Sequence, residues 1–272
     1  MSPLAVARND LRGAVASRGV RLYVAGLTLG LAAVGELVRR VGDPSFGAFL
    51  EVTAVVAPLL FPLVGVVLGY RAVVAARQSG TLVLSLSLPN SRASFAAGAF
   101  LARATIVAAS FGIAGAVAGP YLAFILEGFD LGRFVGFLLL LTAYTLSFTG
   151  LATGLSLGVS TTRRAVSAAF GAYLLLVMLW RTVVDVAALL LFRFRGNPTM
   201  EPPTWLEFAR FVSPEALLRS LGATALDVGT APPPAVVGTE WFVDAGVAAA
   251  LLVGWTLVPL LLGFLRFSRS EI

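Results

Sequence analysis

The sequence contains no histidine, no cysteine and no lysine among its 272 residues. These absences exclude imidazole and thiolate metal sites, thiol nucleophiles, axial haem histidines and Schiff-base lysines. A phosphate-binding loop of the Walker type is excluded as well, since its lysine is missing. We therefore expect this chain to carry no catalytic residue, no metal and no cofactor of its own, and any ATP chemistry to lie on another chain.

Charged residues are also scarce, at 12% of the chain against about 25% in ordinary soluble domains. Hydrophobic residues make up 58%, and the mean hydropathy is +0.92. A bilayer core of about 30 Å is crossed by roughly 20 mostly apolar residues. The sequence therefore predicts an all-α integral membrane protein with six transmembrane helices. The six apolar runs are 20–38, 52–74, 103–126, 134–159, 165–192 and 243–265.

The segment 1–19 is more polar than the runs that follow it. It contains arginines but no apolar core with a small-residue cleavage site, so it does not resemble a signal peptide. Leu4, Leu11 and Val15 recur near helical spacing. This pattern predicts an amphipathic helix on the cytoplasmic membrane surface.

The distribution of arginine predicts how the spans are oriented. A cytoplasmic amino terminus places most arginines on the inner side, as the positive-inside rule requires. We therefore expect a multi-pass protein of the cell membrane with both termini in the cytoplasm. The arginines form no patch with stacking aromatics, so we expect no nucleic-acid partner. The inner arginines are Arg8, Arg12, Arg18, Arg21, Arg71, Arg77, Arg92, Arg103, Arg163, Arg164, Arg266 and Arg269, and the outer ones are Arg39, Arg40, Arg133, Arg193, Arg195, Arg210 and Arg219.

One motif in the fourth run looks catalytic: Gly154, Ser156 and Gly158 form a G-x-S-x-G pattern. A serine nucleophile needs a general base, and the usual histidine does not exist in this chain. Gly150, Gly154 and Gly158 also recur at every fourth position, which favours a small-residue face against a neighbouring helix. We interpret the motif as packing.

Ionisable residues within the predicted spans are functional candidates, because charge in a membrane is costly. Arg181 and Asp185 are four residues apart on one helix face, so they can neutralise each other. The alternative is a substrate or proton site. Glu36 lies near Arg39 and Arg40 at the outer end of the first span, where pairing is expected.

Prolines interrupt three of the predicted spans. Pro58 and Pro62 lie in the second, Pro120 in the third and Pro259 in the sixth. Each removes a backbone donor and can kink its helix. Kinks suit a transporter that changes shape, but membrane helices tolerate proline generally.

The extracytoplasmic loop 193–242 contains two helix signals. Residues 204–207 form a capping box, and Ser213 precedes Pro214 as an N-cap precedes proline at the first helical position. The second helix is expected to end at Gly222. We predict two amphipathic helices on the outer membrane surface, which either cover a substrate exit or anchor the loop.

The cytoplasmic segment 71–102 separates the second and third spans. Leucines alternate with small residues from Leu82 to Leu88, and Pro89 stops the pattern. Exposed leucines usually mark an interface. The alternative is that this segment packs against its own helices.

These motifs resemble those of the ABC-2 type permeases, the membrane subunits of one class of ATP-binding cassette exporters. The similarity begins in 7–12, continues through Ser-Gly-Thr at 79–81 and Leu-Pro at 88–89, and includes Phe-Val-Ser-Pro at 211–214 and the tail 267–272. It is strongest to the branch associated with nitrous oxide reductase maturation and multidrug-type exporters.

The resemblance implies that 1–272 is a single permease domain that pairs with a second copy and with a cytoplasmic ATPase carrying ATP and magnesium. It also implies an ATPase-coupling loop at Arg77, Ser79, Gly80, Thr81, Leu82, Leu84, Leu86, Pro89 and Arg92. The alternatives are an ion-gradient-driven secondary transporter and a non-transporting scaffold. An adjacent gene for a small ATPase would favour the permease.

Overall fold

The computed structural model describes residues 17–82, 91–191, 204–228, 242 and 244–269. Apart from one isolated bridge, these residues contain helices and connections, so the all-α prediction is confirmed. The helices are α1 (Arg18–Val41), α2 (Phe46–Gly69), α3 (Val74–Gln78), α4 (Arg92–Ile125), α5 (Leu131–Gly158), α6 (Thr162–Tyr173), α7 (Trp180–Leu191), α8 (Thr204–Phe211), α9 (Pro214–Leu226) and α10 (Ala245–Ser268), and a π-helical turn at Leu174–Leu179 joins α6 to α7.

Six helical segments of the described chain are long and apolar enough to cross a membrane, as predicted. The second span continues from α2 through α3, and the fifth runs from α6 through the π-helical turn into α7. The third begins at Arg92 rather than near 103, because the Ser91 hydroxyl accepts a hydrogen bond from the Ser94 amide and caps the helix there. Much of the predicted loop 71–102 is therefore helix.

Six crossings bring both ends of the described chain to one side of the bundle. We call this side the terminal face; it also carries the turn 79–81 and the connection 159–161. The opposite side is the loop face. There the connections after α1 and α4 are joined, since the Phe46 amide donates to the Glu127 carbonyl at 2.9 Å and the Glu127 amide donates to the Pro44 carbonyl at 2.8 Å.

The core of the bundle is built around α5, which packs against α2, α4, α9 and α10. Its large side chains Phe137, Tyr144 and Phe148 are fully buried. The buried hydroxyls of Thr145 and Thr149 donate to carbonyls one turn earlier in the same helix, so they need no partner elsewhere. The fourth span is thus the element on which the others are arranged.

Glycines bring α10 into backbone contact with α5, as the spacing of Gly150, Gly154 and Gly158 predicts. A Cβ atom at Gly150 would lie 2.5 Å from the Thr256 carbonyl oxygen, and one at Gly154 would lie 2.2 Å from the Pro259 carbonyl oxygen. Gly263 of α10 faces Gly154, and a Cβ atom at Gly263 would lie 2.0 Å from the Gly154 carbonyl oxygen. The interpretation of this motif as packing is confirmed.

A tyrosine compensates for a proline in the second span, and another tyrosine binds the adjacent carbonyl. Pro62 has no amide proton to donate to the carbonyl of Pro58, which would otherwise be left unpaired in a buried position. The Tyr144 hydroxyl donates to that carbonyl at 3.2 Å, and the Tyr173 hydroxyl donates to the Leu59 carbonyl at 3.0 Å. The fourth and fifth spans therefore hold the second span at its proline.

Both predicted loop-face helices are present. Ser213 caps α9 by accepting from the Ala216 amide at 3.3 Å, and Pro214 occupies the first turn, as predicted. The helix continues past Gly222 to Leu226. It does not lie on a surface, because it packs against the core with Leu217 and Leu218 buried.

Two polar side chains of the bundle fix these two helices. The Trp255 indole donates to the Val212 carbonyl at 2.7 Å, at the joint between α8 and α9. Arg133 donates to the Leu226 and Asp227 carbonyls, which places a cation at the carboxyl end of α9. This arrangement ties α9 to both α5 and α10.

Several sequence predictions fall outside the described residues. These include most of the surface helix at 1–19, the residues Leu84, Leu86 and Pro89, and the proline-rich parts of the loop 193–242. They remain predictions.

Candidate coupling site at the terminal face

The candidate site begins where the second span bends between α2 and α3. The Ser156 hydroxyl of α5 accepts hydrogen bonds from the amides of Val73 and Val74, at 3.1 and 3.0 Å. These amides open α3 and have no partner within that helix, so Ser156 supplies the missing acceptor from the fourth span. The serine of the G-x-S-x-G pattern is therefore buried and structural, and it determines where α3 starts.

The Ser-Gly-Thr sequence forms the turn that ends α3. Gly80 has a φ of +74°, a conformation that glycine adopts without strain, and no atom lies within 4 Å of where its Cβ would be. The Ser79 and Thr81 hydroxyls are 2.9 Å apart, and both donate weakly toward the Ala76 carbonyl. Glycine is required here by the backbone and not by lack of space.

Leu82 follows this turn and is fully buried. It packs in a small cluster of its own chain together with Phe95, Ala99, Leu157 and Phe267. For this leucine the internal-packing alternative holds, so it is not a contact residue for a partner. The turn at 79–81 remains exposed on the same face.

Arg77 and Arg92 approach the Phe267 ring, with guanidinium carbons 5.5 and 5.9 Å from its centroid. Arg77 also donates to the Val159 carbonyl at 2.9 Å. Arg92 donates to the carbonyls of Phe267 and Ser268, which places its charge at the carboxyl end of α10. The two predicted coupling arginines thus connect α3 and α4 to the end of the sixth span.

The site also contacts the start of the fifth span. The Thr162 hydroxyl donates to the Gln78 side chain, so α3 is also linked to the start of the fifth span. Residues 77–82 and Arg92 therefore contact the ends of the fourth, fifth and sixth spans. In the part of the chain that the structure describes, no cluster of acidic side chains suitable for a metal is found. Movement of the exposed turn 79–81 can therefore be transmitted to three spans through these direct contacts.

The role of Phe267 is not apparent from the sequence. It lies 175 positions from Arg92, in a segment that the sequence identifies only as the end of the last apolar run. Its complete burial arises from the meeting of α3, α4 and α10. No periodicity or motif indicates that meeting.

The predicted pairing of Arg181 with Asp185 is wrong. Asp185 instead accepts two hydrogen bonds from Arg210 of α8, at 3.0 and 2.7 Å. The Trp180 indole donates to the Ala209 carbonyl and holds α8 against α7, which brings Arg210 within reach. Glu36 does pair with Arg39 and Arg40, as predicted. The intramembrane charges lie near the loop face and are separate from the candidate coupling site.

Comparison with known proteins agrees with this architecture. Residues 4–272 match the model of the family described as ABC-2 family transporter protein. The chain is 29% identical to the probable ABC transporter permease protein NosY of Stutzerimonas stutzeri, over 97% of each chain. It is 28% identical to the protein of the same name from Pseudomonas aeruginosa, over 98% of each chain. With a family match that extends over nearly its whole length, this six-span protein belongs to the ABC-2 family of transporter proteins.

Proposed function

We propose that this chain is the membrane-spanning permease subunit of an ATP-binding cassette exporter, and that ATP hydrolysis on a separate cytoplasmic subunit drives it. The observation that carries the proposal is the family match over 4–272. The two relatives, which match over nearly their whole length, are named as permeases. The absence of lysine and histidine from the sequence supports placing ATP and magnesium on the partner.

The terminal face is the proposed docking surface for the ATPase, with the chain in the cell membrane and both termini cytoplasmic. The exposed turn 79–81 receives the movement of the ATPase. Arg77, Arg92 and Phe267 pass it to the sixth span, and the Ser156 bridge passes it to the fourth. Because these contacts are direct, displacement of the turn moves span ends instead of being absorbed by a flexible loop.

A second copy of the permease completes the proposed transporter. Within one chain the first, fifth and sixth spans are the least buried of the six. Their exposed apolar side chains are available to lipid or to another copy. We assign part of this surface to a homodimer, because the family resemblance implies paired permeases.

The orientation can be tested with single cysteines, because the native chain contains none. Ser91→Cys on the terminal face should react with a thiol reagent only when the reagent reaches the cytoplasm. Pro233→Cys, in the loop between the fifth and sixth spans, should react with a membrane-impermeant reagent added outside. Labelling of both cysteines from the same side of intact cells contradicts the six-span topology.

The coupling role of the turn can be tested at Gly80. Valine at a φ of +74° is strained by about 1–3 kcal/mol, although its side chain meets no neighbour. We expect Gly80→Val to reduce permease-stimulated ATP hydrolysis severalfold while membrane insertion stays normal. Gly80→Asn is the matched control, because asparagine tolerates this conformation and should retain most of the stimulation. Equal stimulation by the parent and Gly80→Val shows that the turn does not transmit movement.

A further inference from the structure

A cavity of about 100 Å³ lies near the loop face, between the fifth span and the helices α8 and α9. Three arginines from three different helices line it: Arg181 of α7, Arg210 of α8 and Arg219 of α9. Its other wall is formed by side chains of the π-helical turn, including Val177 and Met178. The cavity is separate from the coupling site, which lies on the terminal face.

Carboxylates neutralise only part of this positive charge. Asp185 pairs with Arg210, and Glu215 pairs with Arg219. Arg181 has no ion pair or hydrogen bond within the described ranges, and its side chain is exposed. A guanidinium carries five N–H donors, of which Arg210 directs two to Asp185. The cavity therefore holds a net positive charge and unused donors.

Arg181 lies within the fifth membrane-spanning segment, where a charge is costly without a counterion. It lies ten residues before the end of α7, and at 1.5 Å per residue that places it roughly 15 Å from the helix end. Leu189, Leu190 and Leu191, farther along α7, are exposed apolar side chains suited to lipid. A cation within a membrane-spanning segment is stabilised by pairing or by reaching the interface. Arg181 has no carboxylate partner in the described structure, so we expect an anion from outside the chain to neutralise its charge.

The cavity walls are held in place before any ligand arrives. The indole of Trp180 donates to the Ala209 carbonyl at 2.8 Å and joins α7 to α8. The Ser213 hydroxyl accepts from the Ala216 amide as the N-cap of α9, so it stabilises the wall. Arginines from three fixed helices converge on one space, and guanidinium groups match the geometry of phosphate and related oxyanions.

We propose that this cavity is a binding site for an oxyanion of the phosphate type, with Arg181 as its principal ligand. The anion has two sources: the phosphate of an anionic lipid whose chains lie along the apolar wall, or a free oxyanion. The placement of the site in the outer half of the membrane rests on the proposed orientation. The existence of the anion site does not depend on that orientation.

Binding to the delipidated full chain in detergent tests this proposal. One arm titrates dioleoylphosphatidylglycerol and, for comparison, dioleoylglycerol, which has the same chains but no phosphate. The other arm titrates inorganic phosphate. Retention of lipid by native mass spectrometry and the shift in thermal unfolding temperature report binding in the two arms. Each arm is repeated with Arg181→Gln, Arg181→Lys and Arg163→Gln.

We expect Arg181→Gln to weaken binding by about tenfold or more, because one charge-assisted hydrogen bond contributes about 1.5–3 kcal/mol. Arg181→Lys should retain part of the affinity. Arg163→Gln removes an exposed charge of α6 on the other face and should leave binding unchanged. Binding of phosphatidylglycerol alone identifies a lipid headgroup site, and binding of phosphate identifies a free-oxyanion site.

Three results overturn the proposal. One is that neither phosphatidylglycerol nor phosphate binds the parent protein. Another is that dioleoylglycerol binds as well as phosphatidylglycerol, which assigns the affinity to acyl chains. The third is that Arg181→Gln and Arg163→Gln weaken binding equally, which assigns the affinity to net charge. Arg181 makes no described bond within the protein, so its replacement is not expected to disturb folding.

Discussion

Gly154→Ala is expected to lower the free energy of unfolding by about 3 kcal/mol or more, although it adds one methyl group. The new Cβ would lie 2.2 Å from the Pro259 carbonyl oxygen and 2.5 Å from its carbon. Both are backbone atoms, so no side-chain rotation relieves the overlap and α10 has to move away from α5. That movement also opens the contact at Gly263, whose own Cβ position is 2.0 Å from the Gly154 carbonyl oxygen.

Gly254→Ala in α10 is the matched control. No atom lies within 4 Å of its Cβ position, and removing a glycine from a helix interior is worth roughly 0.5–1 kcal/mol. The two alanine variants should therefore change stability in opposite directions. Thermal unfolding in detergent, compared with the parent protein, measures both. Equal melting temperatures for the two variants contradict the close approach of α5 and α10.

Phe267→Ala is expected to destabilise the terminal face by about 3–5 kcal/mol, the usual cost of truncating a buried aromatic side chain. Phe267 is fully buried, and its loss leaves a cavity beneath Leu82 and removes the ring between Arg77 and Arg92. This cluster is separate from the main hydrophobic core of the bundle, so insertion into the membrane should persist.

The local effect can be read with a cysteine at Leu82. In an otherwise parental chain, Leu82→Cys should be unreactive because the position is buried. Combined with Phe267→Ala, it should react rapidly with a small maleimide. Leu265→Ala truncates an exposed side chain two positions earlier and should leave the cysteine protected. Equal labelling rates with Phe267→Ala and with Leu265→Ala argue against the cluster.

Hydropathy predicts the spans well because each must be apolar over about 20 residues regardless of what it contacts. It predicts their starts less well. The third span begins at Arg92, where Ser91 caps it. The stretch that begins there is mainly alanine interrupted by Arg92, Ser94 and Gly98, so its hydropathy is modest. A local hydrogen bond, and not apolar composition, determines that boundary.

Residue spacing does not reveal which helix face is covered. Gly26 and Gly30 repeat the four-residue spacing of Gly150 and Gly154, yet no atom lies within 4 Å of a Cβ at either position in α1. Gly150 and Gly154 meet the backbone of α10. The difference comes from the packing of whole helices against each other, which residue spacing within one helix does not predict.

Contacts between residues far apart in the chain are also not predicted by the sequence. Arg181 lies at the right spacing to pair with Asp185, but Arg210 forms the pair from 25 positions away. The competing partner is available only because Trp180 fixes α8 against α7. In the same way, Leu82 looks like part of an exposed leucine pattern but is buried by Phe95 and Phe267.

The proposed ATPase contact is tested most directly by changing Leu84 and Leu86 to serine together. If both leucines are buried against the ATPase, each contributes roughly 1.5–3 kcal/mol, and the double variant should bind more weakly by tens-fold, and by about a hundredfold or more at full burial. Leu82→Ser is the comparison for internal packing and should instead lower the thermal stability of the permease itself.

The decisive measurement is ATP hydrolysis by the proposed partner ATPase, co-purified with the permease and reconstituted with it in liposomes. We expect the parent permease to retain the ATPase and to stimulate its hydrolysis of ATP. We also expect the Leu84 and Leu86 double serine variant, inserted and thermally stable like the parent, to lose most of both. Full recovery of the ATPase with undiminished stimulation by that variant contradicts coupling through these leucines.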